Sequence, residues 1–204
     1  MNRLKTWFRY NNKNSYSIAA LMPLVDAGIA REPKDGIMLY SFATAQAEEV
    51  YSEVSKARVD AVYIAGGPHP SALPEEVLEH FDFVVIGEGE ETLPELLQAI
   101  EEGRDPAAVK RIAYKNRGEV KFTEKRSPVD LDFYPPFGKI LAPIEISRGC
   151  PWGCTYCQTP RLFGSCMRHR SISVIAKYAR RHKDIRFTSP NSLAYGSDGR
   201  VPRM

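Results

Sequence analysis

The chain has 204 residues, of which 43% are hydrophobic and 26% charged, and its formal net charge is +3. These proportions are typical of a globular protein, and so small a charge does not indicate a nucleic-acid partner. No apolar run approaches the ~20 residues of a membrane-spanning helix. Residues 1–5 lack the apolar core of a signal peptide, so we expect a cytoplasmic protein without membrane association.

The first 125 residues alternate predicted strands with predicted helices. We predict strands at residues 5–10, 36–42, 61–65 and 83–86. We predict helices at residues 15–26, 45–57 and 93–102, the last capped by Thr92, and a short helix beginning at Pro74. Because the strands are almost entirely apolar, they indicate a parallel sheet covered on both faces, which is a doubly wound α/β domain.

Two glycine-rich turns follow the third and fourth predicted strands. They are Gly66-Gly67-Pro68-His69 and Gly87-Glu88-Gly89-Glu90. Ligands of such sheets bind beyond the carboxyl ends of the strands, and glycine there allows close approach to the backbone. Tight strand-to-helix turns explain the glycines equally well. A dinucleotide fingerprint is a poor match, because the third glycine is missing and the glutamates would repel a pyrophosphate.

The remaining chain predicts a hairpin, a linker and a second α/β segment. The hairpin spans residues 112–123 and turns at Arg117-Gly118. Proline and aromatic residues then predict an extended linker at residues 126–140. Residues 142–149 read as a buried strand, 172–181 as a helix and 184–188 as a strand. We therefore expect three parts, at residues 1–125, 126–140 and 141–204.

Three cysteines, Cys150, Cys154 and Cys157, follow the buried strand with C-x3-C-x2-C spacing. Three thiolates on one short loop can bind three corners of an iron–sulfur cube and leave the fourth iron without a protein ligand. A zinc site or a ferredoxin-type cluster needs a fourth ligand at a spacing that is not present here. A disulfide is disfavoured in a reducing compartment. Cys166 reads as a small buried hydrophobic residue, with a redox thiol as the alternative.

Four arginines surround the cysteine loop, and we predict that they are solvated. The alternative is that their charge favours a carboxylate or a phosphate-bearing cofactor. These arginines are Arg148, Arg161, Arg168 and Arg170.

The strand followed by the C-x3-C-x2-C loop resembles the radical S-adenosylmethionine enzymes. The resemblance implies a [4Fe-4S] cluster on Cys150, Cys154 and Cys157, in a loop after the first strand of a (βα)6 partial barrel. It implies that the free iron binds S-adenosylmethionine, which is cleaved to a 5'-deoxyadenosyl radical. Tyr156 occupies the position of a residue that lies against the adenine; an ordinary half-buried tyrosine is the alternative. A ferredoxin-like or flavodoxin-like donor of low-potential electrons is the implied partner.

The two glycine-rich turns resemble the cobalamin-binding domain that precedes many radical S-adenosylmethionine domains. The likeness lies in Gly-Gly-Pro-His-Pro-Ser and in Phe-Val-Val-Ile-Gly-Glu-Gly-Glu-Glu-Thr. It implies a cobalamin whose nucleotide tail enters the sheet edge and whose corrin faces the cluster. The implied binding residues are Gly66, Gly67, Pro68, Gly87, Glu88 and Gly89. The Asp-x-His-x-x-Gly motif of other cobalamin proteins is absent, and we predict an ordinary hydrogen-bonding role for His69.

The radical domain is expected to be incomplete, because residues 141–204 correspond to about the first third of such a barrel. Thr188-Ser189-Pro190-Asn191 stands where the family often has a Gly-Gly-Glu that holds the methionine amino group. Two functions remain open. One is a radical enzyme that abstracts hydrogen or transfers methyl groups through methylcobalamin. The other is a non-catalytic ligand- or metal-binding module. The sequence does not identify the substrate.

Overall fold

The computed structural model describes residues 4–11 and 13–197, and its main feature is a seven-stranded sheet. Its strands are β1 (Thr6–Arg9), β2 (Gly28–Ala30), β3 (Gly36–Ser41), β4 (Ala61–Gly66), β5 (Phe83–Val85), β6 (Ile112–Asn116) and β7 (Glu119–Phe122). The spatial order is β2-β1-β3-β4-β5-β6-β7. The first five strands are parallel and the last two antiparallel. The parallel sheet is confirmed, and β2 is a short edge strand that the sequence pattern did not reveal.

Helices cover both faces of this sheet. They are α1 (Ser15–Leu21), α2 (Ala47–Lys56), α3 (Pro68–Ala72), α4 (Pro74–Val77) and α5 (Thr92–Glu102), followed later in the chain by α6 (Thr159–Phe163) and α7 (Ile172–Ala179). Alternate residues of β3 enter opposite cores: Ile37 packs in the cluster that contains α1 and α5, and Met38 in the cluster that contains α2. The doubly wound α/β prediction is therefore confirmed. None of the helices in the described ranges is long and apolar enough to cross a membrane.

Two of the helix ends that differ from the predictions have a visible structural reason or consequence. The first helix stops at Leu21, because Pro23 turns the chain into a 3-10 segment, Met22–Leu24. Thr92 is the first residue of α5 and not its cap, and its side-chain oxygen is buried with no hydrogen-bond partner within the described structure. Gly103, at φ 65°, ends α5 in the left-handed conformation that glycine favours.

The hairpin is confirmed, and its turn has a clear backbone cause. Arg117 and Gly118 have φ values of 52° and 83°, and the strands pair up to Asn116 opposite Glu119. Two consecutive residues with positive φ form the turn that matches the right-handed twist of a two-residue hairpin.

Residues 126–140 are packed against the body of the protein, whereas an extended linker was predicted. They contain one 3-10 turn, Leu131–Phe133, and the side chains of Val129, Leu131 and Phe137 are buried. Phe137 is 1% exposed and packs in a small core with Ala19 of α1 and Ile144. This segment therefore joins the sheet domain to the cysteine-bearing part through buried contacts.

The predicted strand at residues 142–149 is divided between two small sheets. β8 (Ile144–Glu145) pairs in parallel with β11 (Phe187–Thr188), and β9 (Ser147–Arg148) pairs antiparallel with β10 (Arg168–His169). The chain passes from one small sheet to the other at Ile146, whose N–H donates to the Thr188 carbonyl and whose own carbonyl accepts from the Arg170 N–H. Strand β8, helix α7 and strand β11 form a single parallel β–α–β unit.

Candidate ligand cavity and cysteine loop

A cavity of about 300 Å³ opens at the carboxyl ends of the parallel strands. It lies where the strand order reverses around β1 and β3, which is the position of ligand sites in doubly wound sheets. Both glycine-rich turns line it. All six residues proposed for cofactor binding in the sheet domain are in its wall: Gly66, Gly67, Pro68, Gly87, Glu88 and Gly89.

Two glycines are required by the backbone at the cavity wall. Gly67 has φ 96°, and a Cβ there would lie 2.8 Å from the Ser41 Oγ. Gly87 has φ 75°, and a Cβ would lie 2.7 Å from an Arg111 guanidinium nitrogen. At Gly66 the nearest atom to a Cβ is the Val85 carbonyl oxygen at 3.8 Å, so that position has room for a side chain. The first turn is thus bent at Gly67, whereas Gly66 leaves free space.

The cavity wall is mainly apolar, with a few hydroxyl groups. Its apolar residues are Phe8, Ile18, Leu21, Leu39, Ile64, Val85, Leu93 and Phe163. Ser41 donates a hydrogen bond of 3.0 Å to Ser17, and the Gly87 N–H donates one of 2.9 Å to the Ser71 Oγ. Apolar walls with a small number of placed polar groups are the usual composition of small-molecule sites.

A buried arginine–carboxylate network centred on Arg148 forms part of the cavity wall. The guanidinium donates to the Glu145 carboxylate at 3.0 and 2.6 Å, to Glu90 at 2.7 Å and to Glu88 at 3.2 Å. The side chains of Arg148 and Glu88 are only 9% and 3% exposed. Although burial opposes its charge, attraction to Glu90 and Glu145 raises the pKa of Arg148 well above its ordinary value.

Two further arginines near the cysteine loop are engaged by protein groups. Arg168 donates to Glu88 at 2.5 Å and to the Phe163 carbonyl at 2.9 Å. Arg170 is 2% exposed and donates to the Tyr134 carbonyl at 2.7 Å, and burial lowers its pKa. The prediction of solvated arginines is therefore wrong for Arg148, Arg168 and Arg170, because buried carboxylates and carbonyls balance them; Arg161 is exposed.

The cysteine loop follows this network directly. Cys150 and Cys157 are partly buried and Cys154 is exposed. The Cys157 N–H donates to the Cys154 carbonyl at 3.1 Å, and a hydrogen bond from Thr159 lowers the pKa of the Cys157 thiol. Across residues 4–11 and 13–197, no group of three His, Cys, Asp or Glu side chains is gathered to hold a metal ion. Iron–sulfur ligation therefore remains a prediction based on spacing.

Two other residues of this region differ in exposure from their sequence interpretation. Cys166 is exposed and not a small buried residue, although its backbone carbonyl packs closely against Gly149. Tyr156 is 90% exposed, so its position against an adenine remains a prediction.

His69 has the hydrogen-bonding role predicted for it. Its ring is 2% exposed, with Nε2 2.9 Å from the Tyr51 hydroxyl and Nδ1 3.2 Å from the Thr44 Oγ1. Both ring nitrogens are therefore occupied.

Several residues of the cavity carried no sequence motif. Ser17, Ser41 and Tyr16 are common residue types in ordinary strand and helix contexts, and only the fold brings them together. Tyr16 is partly buried, and burial raises the pKa of its hydroxyl. A possible signal for Arg148 was its position inside an apolar strand, since a buried arginine needs carboxylate partners.

Comparison with known proteins agrees with this geometry. Residues 24–97 match the model of the B12 binding domain. The chain is 29% identical over 147 residues to bacteriochlorophyllide d C-12(1)-methyltransferase of Chlorobaculum tepidum, covering 69% of this chain and 31% of that protein. It spans only 28% to 31% of the length of three such curated relatives.

Two solved structures share the fold. One is the cobalamin-dependent S-adenosylmethionine radical enzyme OxsB with aqua-cobalamin and S-adenosylmethionine bound, with TM-score 0.63, 18% identity, and coverage of 86% of this chain and 31% of that one. The other is the radical S-adenosylmethionine methyltransferase TsrM from Kitasatospora setae with cobalamin and a [4Fe-4S] cluster bound, with TM-score 0.61, 19% identity, and coverage of 89% and 47%.

The fold and the cavity thus define an α/β protein in which residues 24–97 match the B12 binding domain model. The predicted resemblance to cobalamin-binding radical S-adenosylmethionine proteins is confirmed for the B12 binding domain match and for the fold.

Proposed function

We propose that this chain binds cobalamin, with the nucleotide tail in the 300 Å³ cavity and the corrin at its mouth beside the cysteine loop. One observation carries the proposal: both glycine-rich turns, within the span that matches the B12 binding domain, line a single apolar cavity at the switch point of the sheet. Apolar walls would hold the heterocycle of the tail, and the hydroxyls of Ser17, Ser41 and Ser71 are available to its polar atoms.

The cobalt would bind without a histidine from the sheet domain's first turn or from His69. Residues 11–15 contain no histidine, and the ring of His69 is held at both nitrogens by Tyr51 and Thr44. Freeing His69 would require breaking both hydrogen bonds of a buried ring, which is energetically unfavourable.

The cysteine loop would hold a [4Fe-4S] cluster through Cys150, Cys154 and Cys157, with S-adenosylmethionine on the open iron and Tyr156 beside its adenine. When bound, the cluster would pass an electron to S-adenosylmethionine and cobalamin would carry a methyl group. The lowered pKa of Cys157 favours the thiolate form that ligates metals. A low-potential donor resembling ferredoxin or flavodoxin would supply the electrons.

The reaction class that we propose is radical S-adenosylmethionine chemistry, either hydrogen abstraction or methyl transfer. Methyltransferase relatives support it. Because the matched segments span only 28% and 31% of those proteins, their activities are an analogy for this chain and not a property of it.

A second candidate is a ligand-binding module without catalysis. The observation that favours it is that the described residues do not gather three metal-binding side chains, although the cavity that we propose for cobalamin is present.

Cobalamin binding is tested by titrating the chain with hydroxocobalamin and following the visible absorption spectrum. Gly66→Val places a side chain in the free space beside Val85 and should abolish the spectral change while the protein stays folded. Ala61→Val, at the amino end of the same strand, is the matched control and should bind like the native chain. Equal binding by all three proteins, or no binding by the native chain, would overturn the cobalamin proposal.

The cluster is tested by anaerobic iron–sulfur reconstitution, followed by electron paramagnetic resonance of the reduced protein. The native chain and Cys166→Ala should give a [4Fe-4S] signal that changes when S-adenosylmethionine is added. Cys157→Ala should lose the signal while the sheet domain remains folded. A cluster that ignores S-adenosylmethionine, or zinc in place of iron, would favour the non-catalytic module.

A further inference from the structure

The buried network around Arg148 joins the ligand cavity to the cysteine loop. We infer that Arg148 is a positioning residue that fixes the base of the loop against the cavity, so that the order of the loop and occupation of the cavity are coupled. The positioning role stands on the geometry of the chain alone. The coupling to cobalamin rests on the proposed function.

Arg148 connects two parts of the chain that are far apart in sequence. It lies two residues before Cys150, at the end of β9. Its guanidinium binds Glu88 and Glu90, which belong to the second glycine-rich turn, and also Glu145 in β8. Arg148 and Glu145 themselves line the cavity, as do Glu88 and Glu90. One side chain therefore forms part of the cavity wall and sets the starting point of the loop.

A second arginine, on strand β10 beside β9, strengthens the same connection between the loop base and the second glycine-rich turn. Arg168 pairs with Arg148 across the β9–β10 ladder and donates to the Glu88 Oε1 at 2.5 Å. The other oxygen of Glu88 accepts the Val129 N–H at 2.9 Å. The Glu88 carboxylate is thus held by three donors from three different segments, and the Cys150 N–H is anchored to the Gly164 carbonyl at 3.1 Å.

Burial makes the network of arginines and carboxylates around Arg148 rigid. Side-chain exposures of 9% for Arg148, 3% for Glu88 and 8% for Glu90 leave little access to water. Moving the loop base away from the cavity would leave buried charges unpaired, which is strongly unfavourable. The planar, forked guanidinium binds both oxygens of Glu145 while it also reaches Glu88 and Glu90, a bidentate geometry that a lysine ammonium does not reproduce.

Coupling to the cavity follows from this shared wall. A ligand that fills the cavity contacts the wall formed by Arg148 and Glu145, and it restricts their motion. Restricting Arg148 restricts the loop base two residues away. By thermodynamic linkage, a change that loosens the loop must then weaken the binding of the ligand by the same coupling free energy.

Hydrogen exchange of the ligand-free chain, read by mass spectrometry, tests the positioning role. Arg148→Lys keeps the charge but not the fork, and Glu88→Gln removes one carboxylate. Each should accelerate exchange at residues 144–150 and 166–170 by about 10- to 100-fold, with strands β3 and β4 unchanged. Glu53→Gln, which breaks the partly buried pair with Arg9, is the matched control and should leave both regions as in the native chain.

Three results would overturn the positioning role. The first is a hydrogen-exchange rate at residues 144–150 of Arg148→Lys equal to that of the native chain, because a positive charge alone would then hold the loop base. The second is equal acceleration in the loop base and in β3 and β4, which would indicate general destabilisation. The third is acceleration by the control as well. If Glu88→Gln does not fold, Arg148→Lys provides the decisive comparison.

A second arm adds hydroxocobalamin to the same proteins. In the native chain it should slow exchange at residues 144–150, and Arg148→Lys should bind it more weakly and lose that protection. Binding without any protection of the loop base would overturn the coupling. Absence of any spectral change in the native chain would reject the proposed function and the coupling together, whereas the ligand-free comparison of Arg148→Lys would still decide the positioning role.

Discussion

Replacing Gly67 by alanine perturbs the backbone turn that shapes the cavity. Gly67 has φ 96° and ψ −170°, a region that is essentially restricted to glycine. A Cβ at this position would lie 2.8 Å from the Ser41 Oγ and 3.2 Å from both the N and the O of Phe42. The neighbouring Gly66 has neither problem, because its nearest neighbour would be 3.8 Å away.

The expected loss of stability follows from two contributions. Forcing alanine into this backbone region costs about 1–3 kcal/mol. Crowding against Ser41 and Phe42 costs roughly 1–3 kcal/mol more, because backbone atoms on one side cannot move away cheaply. We therefore expect Gly67→Ala to lower the free energy of unfolding by about 2–6 kcal/mol. Gly66→Ala should change it by less than about 0.5 kcal/mol.

Urea denaturation of the two variants and the native chain, followed by circular dichroism, measures this difference. Gly67→Ala should also bind hydroxocobalamin more weakly, because the turn that it distorts lines the cavity. If the two alanine variants have the same stability, the argument from positive φ and close approach at Gly67 is wrong.

Three further predictions concern other buried groups. Thr92→Val should raise the free energy of unfolding by about 1 kcal/mol in urea denaturation, since it removes a buried hydroxyl that lacks a described partner; a loss of stability would contradict this. Phe137→Ala should lower the free energy of unfolding by about 3–5 kcal/mol in urea denaturation and accelerate hydrogen exchange where α1 contacts β8. An unchanged urea midpoint would refute that packing role. Burial and the hydrogen bond to Glu53 raise the pKa of Tyr40, so its contribution to stability is present below pH ~10 and lost as the pH rises. Tyr40→Phe should therefore lose less stability at alkaline pH, and an identical pH profile would contradict the assignment.

The sheet domain could be predicted because its signals are local. Apolar strands ending in glycine-rich turns define the parallel sheet, and Arg117-Gly118 defines the hairpin turn. β2 could not be predicted, because three residues at a sheet edge acquire strand structure only through pairing with β1. The end of α1 was misplaced since the apolar pattern continues past Pro23.

The candidate site was only partly predictable. Local glycine patterns identified both cavity turns, and cysteine spacing identified the loop. The partners of Arg148 could not be predicted, because Glu88 lies 60 residues away and the pairing depends on the packing of β9 against the second glycine-rich turn. For the same reason the division of residues 142–149 into two strands was not visible in their apolar sequence.

The position of bound cobalt distinguishes the proposed cavity from any other site on the chain. We would crystallise the chain with hydroxocobalamin and locate the cobalt by anomalous scattering. We expect one cobalt at the mouth of the cavity, on the side of the cysteine loop, with the nucleotide tail between Gly66-Gly67 and Gly87-Glu88-Gly89. Cobalt bound elsewhere on the surface, with the cavity empty, would contradict it.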